Sequence, residues 1–364
     1  HHVHKHGTRY AVQHHEAKKL EGELKKGRAE IVDWLSKRVS IDGSTIEPQK
    51  QPMSTLELWK YVQSHKNEYD NGADFSANRR LFSGLKTMGY NNKDSVILIG
   101  GVNNGQATLN VIKENPSITI HGFEIQPEQF KTAVHNVRNY DSVHIHNLGW
   151  DEKPRKNVHI GGKDGKAGLY DPNGQRGWKL SENTVSTVRM DEWADTQNIM
   201  ETTYILIDAE GFEPKIVRGM GIEQIKNRRR FPLIQYELGG TWAAKDKRHG
   251  NDKWNQGDIA RWFIKNGYQL FYVGKTHWLP ITDTFFNVPN NPLIDDEGYG
   301  PYVQGNMLAM HLSFTPANIQ SFIWNFKPLK TSELNVQELA PKLMKPKVSM
   351  KPIVAIDEPQ NQPM

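Results

Sequence analysis

The chain has 364 residues, enough for one large core with extensions or for two modest ones. Lys and Arg number 46 against 41 Asp and Glu, an excess too mild to mark a nucleic-acid or membrane surface, although acidic substrates stay open. The absence of cysteine excludes disulfides, thiolate metal sites and a cysteine nucleophile, and no stretch reaches the roughly 18 apolar residues that span a bilayer. The first residue is His1 rather than Met. A removed or unrecorded N-terminal segment is therefore expected, in which a signal peptide or anchor could have stood, and the compartment is left open.

His1, His2, His4, His6, His14 and His15 make an arm with adventitious metal affinity. Between Glu16 and Val39 the residues Leu20, Leu24, Ile31 and Leu35 fall on one helical face, and Ser54-Thr-Leu-Glu57 is a capping box opening a second helix. Residues 1–89 are thus expected to be a helical N-terminal extension. The regular region starts near Asp94. Val96 to Ile99 and Ile118 to Phe123 read as buried parallel strands, and Pro127 starts a helix carrying Phe130, Ala133, Val134 and Val137. Val143 to His146, Tyr204 to Asp208, Leu233 to Glu237, Tyr268 to Val273 and Met307 to His311 are the further strands. Ile259, Trp262 and Phe263 mark a helix that Gly267 ends. Strands alternating with helices predict a doubly wound α/β sheet over residues 90–328, with late strands forming an antiparallel edge. The glycines and Asp164, Asp171, Pro172 and Asn173 between Lys153 and Lys179 predict a long polar loop, and residues 329–364 a disordered Lys/Pro-rich tail.

Two junctions carry the chemistry. Gly101-x-x-x-Gly105 after the first strand lets the backbone turn tightly and approach a ligand, with Asn103 or Asn104 placed to cap the next helix. Glu124 follows about twenty residues later, where an acid accepts hydrogen bonds from a ribose diol. The G-x-G-x-x-G pyrophosphate pattern is not satisfied, so the pairing suits S-adenosylmethionine better than NAD. At the second junction, Asp208 and Glu210 lie two apart, a spacing that on an extended strand puts both on one face. Asp191 precedes them, and Glu237 ends the fifth strand. Such carboxylates could take a hydroxyl proton, hold the cofactor, or bind a divalent cation.

The stretch Thr187-Val-Arg-Met-Asp191-Glu-Trp followed by Ile205-Leu-Ile-Asp208-Ala-Glu210-Gly211-Phe-Glu213 and Arg218-Gly219 resembles the signature of FkbM-type S-adenosylmethionine-dependent methyltransferases. Gly101-Val-Asn103-Asn-Gly105-Gln106 and Gly122-Phe123-Glu124-x-x-Pro127 are similar to the family's first and second cofactor motifs. The resemblance spans roughly Asp94 to His311. It implies a class I methyltransferase sheet of about seven strands, one antiparallel. It also implies methylation of oxygen on sugars, polyketides or related small molecules. On this reading Gly101, Asn103, Gly105 and Glu124 hold the cofactor, and Asp208 or Glu210 acts near the acceptor. Two positions depart from the pattern: Ile99 stands where many members carry an acid, and Leu206 where many carry lysine.

Rival bases are His146, His159 and His277. Nucleic acid is disfavoured as an acceptor, since Asp208-Ala-Glu210-Gly211 replaces the Asn/Asp-Pro-Pro-aromatic stretch of adenine-methylating enzymes, and Arg228-Arg-Arg230 reads as a solvated loop. The alternative function is a catalytically inactive binding module of the same fold, with Trp242, Trp254, Trp262 and Trp278 among its sugar-stacking candidates. Cofactor binding without methyl transfer to any hydroxylated acceptor would favour it.

Overall fold

In the computed structural model the described elements are, in chain order, β1 (Val96–Gly100), α1 (Gln106–Glu114), β2 (Thr119–Phe123), α2 (Pro127–Val137), β3 (Val143–His146), β4 (Leu148–Trp150), β5 (Arg155–Gly161), β6 (Gly168–Leu169), β7 (Leu180–Val188), α3 (Met190–Thr196), β8 (Tyr204–Ile207), α4 (Glu213–Arg218), α5 (Ile225–Arg230), β9 (Leu233–Leu238), α6 (Gln256–Lys265), β10 (Tyr268–Val273), β11 (Trp278–Ile281) and β12 (Gly305–His311). The structure describes residues 90, 92–162, 167–170, 180–238, 254, 256–274, 278–281 and 305–311. The His-rich arm, the two N-terminal helices, the Lys/Pro tail, Trp242 and His277 lie outside them.

Eight strands form the main sheet in the order β11-β10-β12-β9-β8-β1-β2-β3. The block from β9 to β3 is parallel, whereas β12 runs antiparallel to both β9 and β10, and β11 antiparallel to β10. This is the expected doubly wound sheet with its antiparallel edge, extended by β11. Alternate residues supply its two faces, as the strand period requires. Leu98, Phe123, Ile205, Ile207, Ile234 and Tyr236 join one core with Trp193 of α3, Ile216 of α4 and Phe263 of α6. Ile97, Ile99, Ile120, Tyr204 and Leu233 join the other with Val111 and Ile112 of α1 and Ala133 and Val137 of α2. Helices on both faces explain why the strands read as continuous apolar runs. Gly267 adopts φ +86 behind α6 and lets β10 begin directly, as its position in the sequence suggests.

Within the region expected to be a polar loop, Arg155–Gly161 and Gly168–Leu169 are strands β5 and β6 of a second sheet ordered β4-β7-β5-β6, while Asp164, Asp171, Pro172 and Asn173 lie outside the described residues. β5 reads Arg-Lys-Asn-Val-His-Ile-Gly, and only Val158, Ile160 and Gly161 are buried along it. One half-solvated face gives a strand a polar composition, which is the physical reason it passes for a loop. The inward residues Val158, Ile160, Leu169 and Val185 join the core that holds Trp150.

Candidate active site

Where β1 ends, Gly101 takes φ +81, and a Cβ there would collide with the carbonyl oxygen of Asp208. Glycine is therefore required both for the turn and for the close approach of the β8 end. The N–H groups of Gly101 and Val102 both donate to Phe123 O, at 3.0 and 3.1 Å, which ties the turn to β2. Asn103, at φ +52, donates its N–H to Glu124 Oε2 at 2.7 Å, while Gln126 N–H reaches Glu124 Oε1 at 2.8 Å. Glu124 is 5% exposed. Burial pushes its carboxyl pKa up, and the N–H bonds from Gln126, Asn103 and Ile125 pull in the opposite direction without overcoming it. Asn104 rather than Asn103 serves the head of α1, accepting from Gln106 N–H at 3.1 Å. Gly105 (φ +85) packs against Ala133 of α2 and does not line the cleft.

At the second junction β8 stops at Ile207, so the extended spacing expected for Asp208 and Glu210 does not hold. Asp208 N–H donates to Gly100 O at 3.0 Å, and Glu210 (φ +53) and Gly211 (φ +99) turn the chain sharply toward α4. Both carboxylates nonetheless line the same cleft as Glu124. Glu213, the first residue of α4, is fully buried and accepts Ala209 N–H at 2.8 Å, holding the turn from below. Carboxylate oxygens of Asp208, Glu213 and Glu237 all lie within 4.8 Å of one another, a set of hard donors that suits a divalent cation. Sequence reasoning assigned Glu213 no role; its signal was its place at the close of the Asp208-x-Glu210-Gly-x-Glu213 block.

Asp191 is elsewhere. Its carboxylate takes two bonds from the Arg189 guanidinium, at 3.0 and 2.8 Å, and packs under Gly221, where a Cβ would meet it. The arginine cluster is not a solvated loop but the end of α5. Arg230 is 4% exposed and paired with Asp195 at 2.5 Å, and Arg228 donates to Ile222 O at 2.8 Å.

The cleft has a volume of about 700 Å³ including its open mouth, and Gly101, Asn103, Glu124, Asp208 and Glu210 share it. Its apolar wall comes from Leu148, Trp150 and Leu169, residues of the second sheet that no motif announced. Trp150 is 3% exposed and leans on Gly100, where any Cβ would strike its ring. Ile99 and Leu206 are register partners on β1 and β8 and pack into the opposite core, so neither departure from the family pattern touches the cleft. His146 and exposed His159 do not line it either. Trp262 is half-buried, edge-on to Trp254 and Phe263.

Residues 100–270 match the family model of the methyltransferase FkbM domain. No curated protein matches the chain. Solved structures similar to it include the O-methyltransferase from Bacillus cereus in complex with SAH, at 13% identity and TM-score 0.33 over 72% of this chain and 92% of that one. Another is Aeropyrum pernix fibrillarin with bound S-adenosyl-L-methionine, at 10% identity and TM-score 0.29 over 61% and 68%. A third is precorrin-6y C5,15-methyltransferase from Geobacter metallireducens, at 11% and 0.26 over 51% and 70%.

Proposed function

Through residues 100–270 this chain belongs to the FkbM methyltransferases, and on that premise we propose that it moves a methyl group from S-adenosylmethionine to a hydroxyl oxygen of a sugar, a glycan or another small acceptor. One observation carries the reading: buried Glu124 from the end of β2 and Asp208 and Glu210 from the end of β8, two separate junctions, line a single cleft.

The residues present fit the cofactor. Gly101 brings its backbone to the edge of the cleft, and Glu124 keeps lone-pair capacity for a ribose diol beside the backbone N–H bonds from Asn103, Gln126 and Ile125. The wall of Leu148, Trp150 and Leu169 offers an apolar surface for a flat base. When bound, S-adenosylmethionine supplies a methyl group already activated by its sulfonium. The chain then has to align the acceptor oxygen, keep water out, and receive the proton that the hydroxyl loses. Asp208 or Glu210 is the acceptor of that proton, and the Asp208–Glu213–Glu237 set would hold a divalent cation if the acceptor oxygens need one. Within the arginine cluster, Arg230 is engaged by Asp195 and Arg228 by Ile222 O, which disfavours these two as contacts for a nucleic-acid acceptor. No helix among the described residues is long and apolar enough to cross a membrane.

Calorimetric titration with S-adenosylmethionine and S-adenosylhomocysteine, repeated on Glu124→Ala, is the test. Losing the charge-assisted bonds should weaken binding about tenfold to a hundredfold. Asp208→Asn and Glu210→Gln should keep that binding and at least one should lose turnover on a hydroxylated acceptor. Binding without turnover on any acceptor would point to the inactive module instead.

A further inference from the structure

We propose that Asn147 is a positioning residue for the cofactor: on the reading that this cleft holds S-adenosylmethionine, its side-chain amide fixes the loop from which Glu124 reaches the ribose. The parallel ladder between β2 and β3 ends at the pair Phe123 and His146. Beyond it Glu124 N–H still donates to His146 O at 3.0 Å, and Phe123 O is taken by the N–H groups of Gly101 and Val102. The next two carbonyls, those of Glu124 and Ile125, come after β3 has ended. Asn147 Nδ2 donates to both, at 2.8 and 3.1 Å. Carbonyl oxygens only accept, and an amide nitrogen has one hydrogen for each of them, so the two contacts decide which way the amide points. A side chain thus prolongs the ladder by two rungs where backbone pairing has stopped.

The residue stands where such a hold matters. Asn147 is the single residue between β3, the edge strand of the main sheet, and β4, which belongs to the second sheet. Glu124, Ile125 and Gln126 line the cleft, and Asn147 does not. The Glu124 carboxylate accepts from Gln126 N–H and Asn103 N–H, so carboxylate and loop form one unit, and whatever displaces the loop backbone displaces the carboxylate. On the far side of the link, Leu148 and Trp150 supply the apolar wall. Gly149 between them lies so close to Ile125 that a Cβ there would stand 3.2 Å from its Cγ2. The amide therefore sets the spacing between the two parts of the cleft that the ribose and the base would use.

Calorimetry with S-adenosylhomocysteine on the full chain tests this through a double-mutant cycle. Asn147→Ala should weaken binding about tenfold, and Asn147→Asp, of the same size but with no hydrogen to donate when ionised, at least as much. In the Glu124→Ala background the same replacements should cost about twofold or less, because the group they position is gone. Hydrogen exchange should locate the effect: the amides of Asn103 and Gln126 exchange faster in Asn147→Ala, while those of Ile205 and Ile207 in β8 keep the protection of the parent. A residue that only filled space would leave Asn147→Asp near the parent, and one that only stabilised the fold would speed exchange in β8 as well. Either result overturns the proposed role, as does a loss undiminished by Glu124→Ala, which would mean that Asn147 touches the ligand itself. Should Asn147→Ala not fold, Asn147→Asp completes the cycle alone. If the parent binds no S-adenosylhomocysteine, or Glu124→Ala binds it as tightly, the cofactor reading fails and takes this role with it. Binding that Glu124→Ala weakens and Asn147→Ala does not would remove the role of Asn147 and leave that reading standing.

Discussion

Both halves of the main sheet contain buried apolar strands, yet among the described residues only the parallel half lines the cleft. In the parallel half, β1, β2 and β8 all run the same way and release their chains at one edge, where Gly101, Asn103, Glu124, Asp208 and Glu210 gather. In the antiparallel half, β12 is buried at every residue, and no residue of β10, β11 or β12 lines the cleft. Antiparallel neighbours release their chains at opposite edges, so they cannot converge on one ligand. Parallel direction, more than strand composition, decides where a site can form.

The largest effect that should test this contrast lies behind the cleft. Ile99→Asp alone leaves a buried unpaired charge and should cost about 3–5 kcal/mol. Adding Leu206→Lys on the register partner should recover a large part of it, and a double-mutant cycle by urea unfolding would measure the coupling. Next, Leu308→Ala in β12 should cost about 2–5 kcal/mol of stability while leaving affinity for S-adenosylmethionine unchanged. Gly101→Ala should instead abolish binding, and also cost more stability than the roughly 1–2 kcal/mol of the left-handed φ alone, because the Asp208 carbonyl blocks the new Cβ and the turn itself must shift. Equal losses of affinity in Leu308→Ala and Gly101→Ala would dissolve the distinction between the halves.

Two pH effects are smaller. In the proposed role Glu124 accepts most strongly from the ribose when ionised, and burial raises its pKa above the ordinary 4.5. Affinity for the cofactor should therefore be full at neutral pH and begin to fall, on acidification, at a higher pH than an exposed glutamate would cause. Calorimetry across that range would read it. In the antiparallel half the same physics acts on stability alone. His311, at the end of β12, has its pKa pushed down to about 4 by burial, with smaller contributions from Arg228 and Arg229. Between 6.5 and about 4 the unfolded chain takes up a proton that the folded chain refuses, so stability is full above that window and lost as pH falls through it. His311→Phe should flatten the slope in denaturant titrations and leave cofactor affinity untouched.

The central strands β1 and β8 were legible because burial on both faces left their composition almost wholly apolar. Glu124 was legible from its distance to the first turn, since a strand, a helix and a second strand occupy a nearly fixed length. The apolar wall was not, because β4 and β6 are only three and two residues long and β5 and β7 are largely solvated, so their inward residues are too few to set a period. The common face expected for Asp208 and Glu210 failed at the αL turn of Glu210, a conformation that glycine or asparagine advertises and glutamate does not. Asp191 misled because a carboxylate near a motif reads the same whether it faces a cleft or an arginine.

Ile99 and Leu206 look like two separate losses when the chain is read in one dimension. Side by side on neighbouring strands, they are one apolar contact, and on the family resemblance that contact would stand in for a single charged pair. A lineage that changed either position first would have passed through a stranded charge, so the two replacements are expected to travel together through descent. Relatives carrying one without the other should be scarce, and they should hold a compensating change nearby.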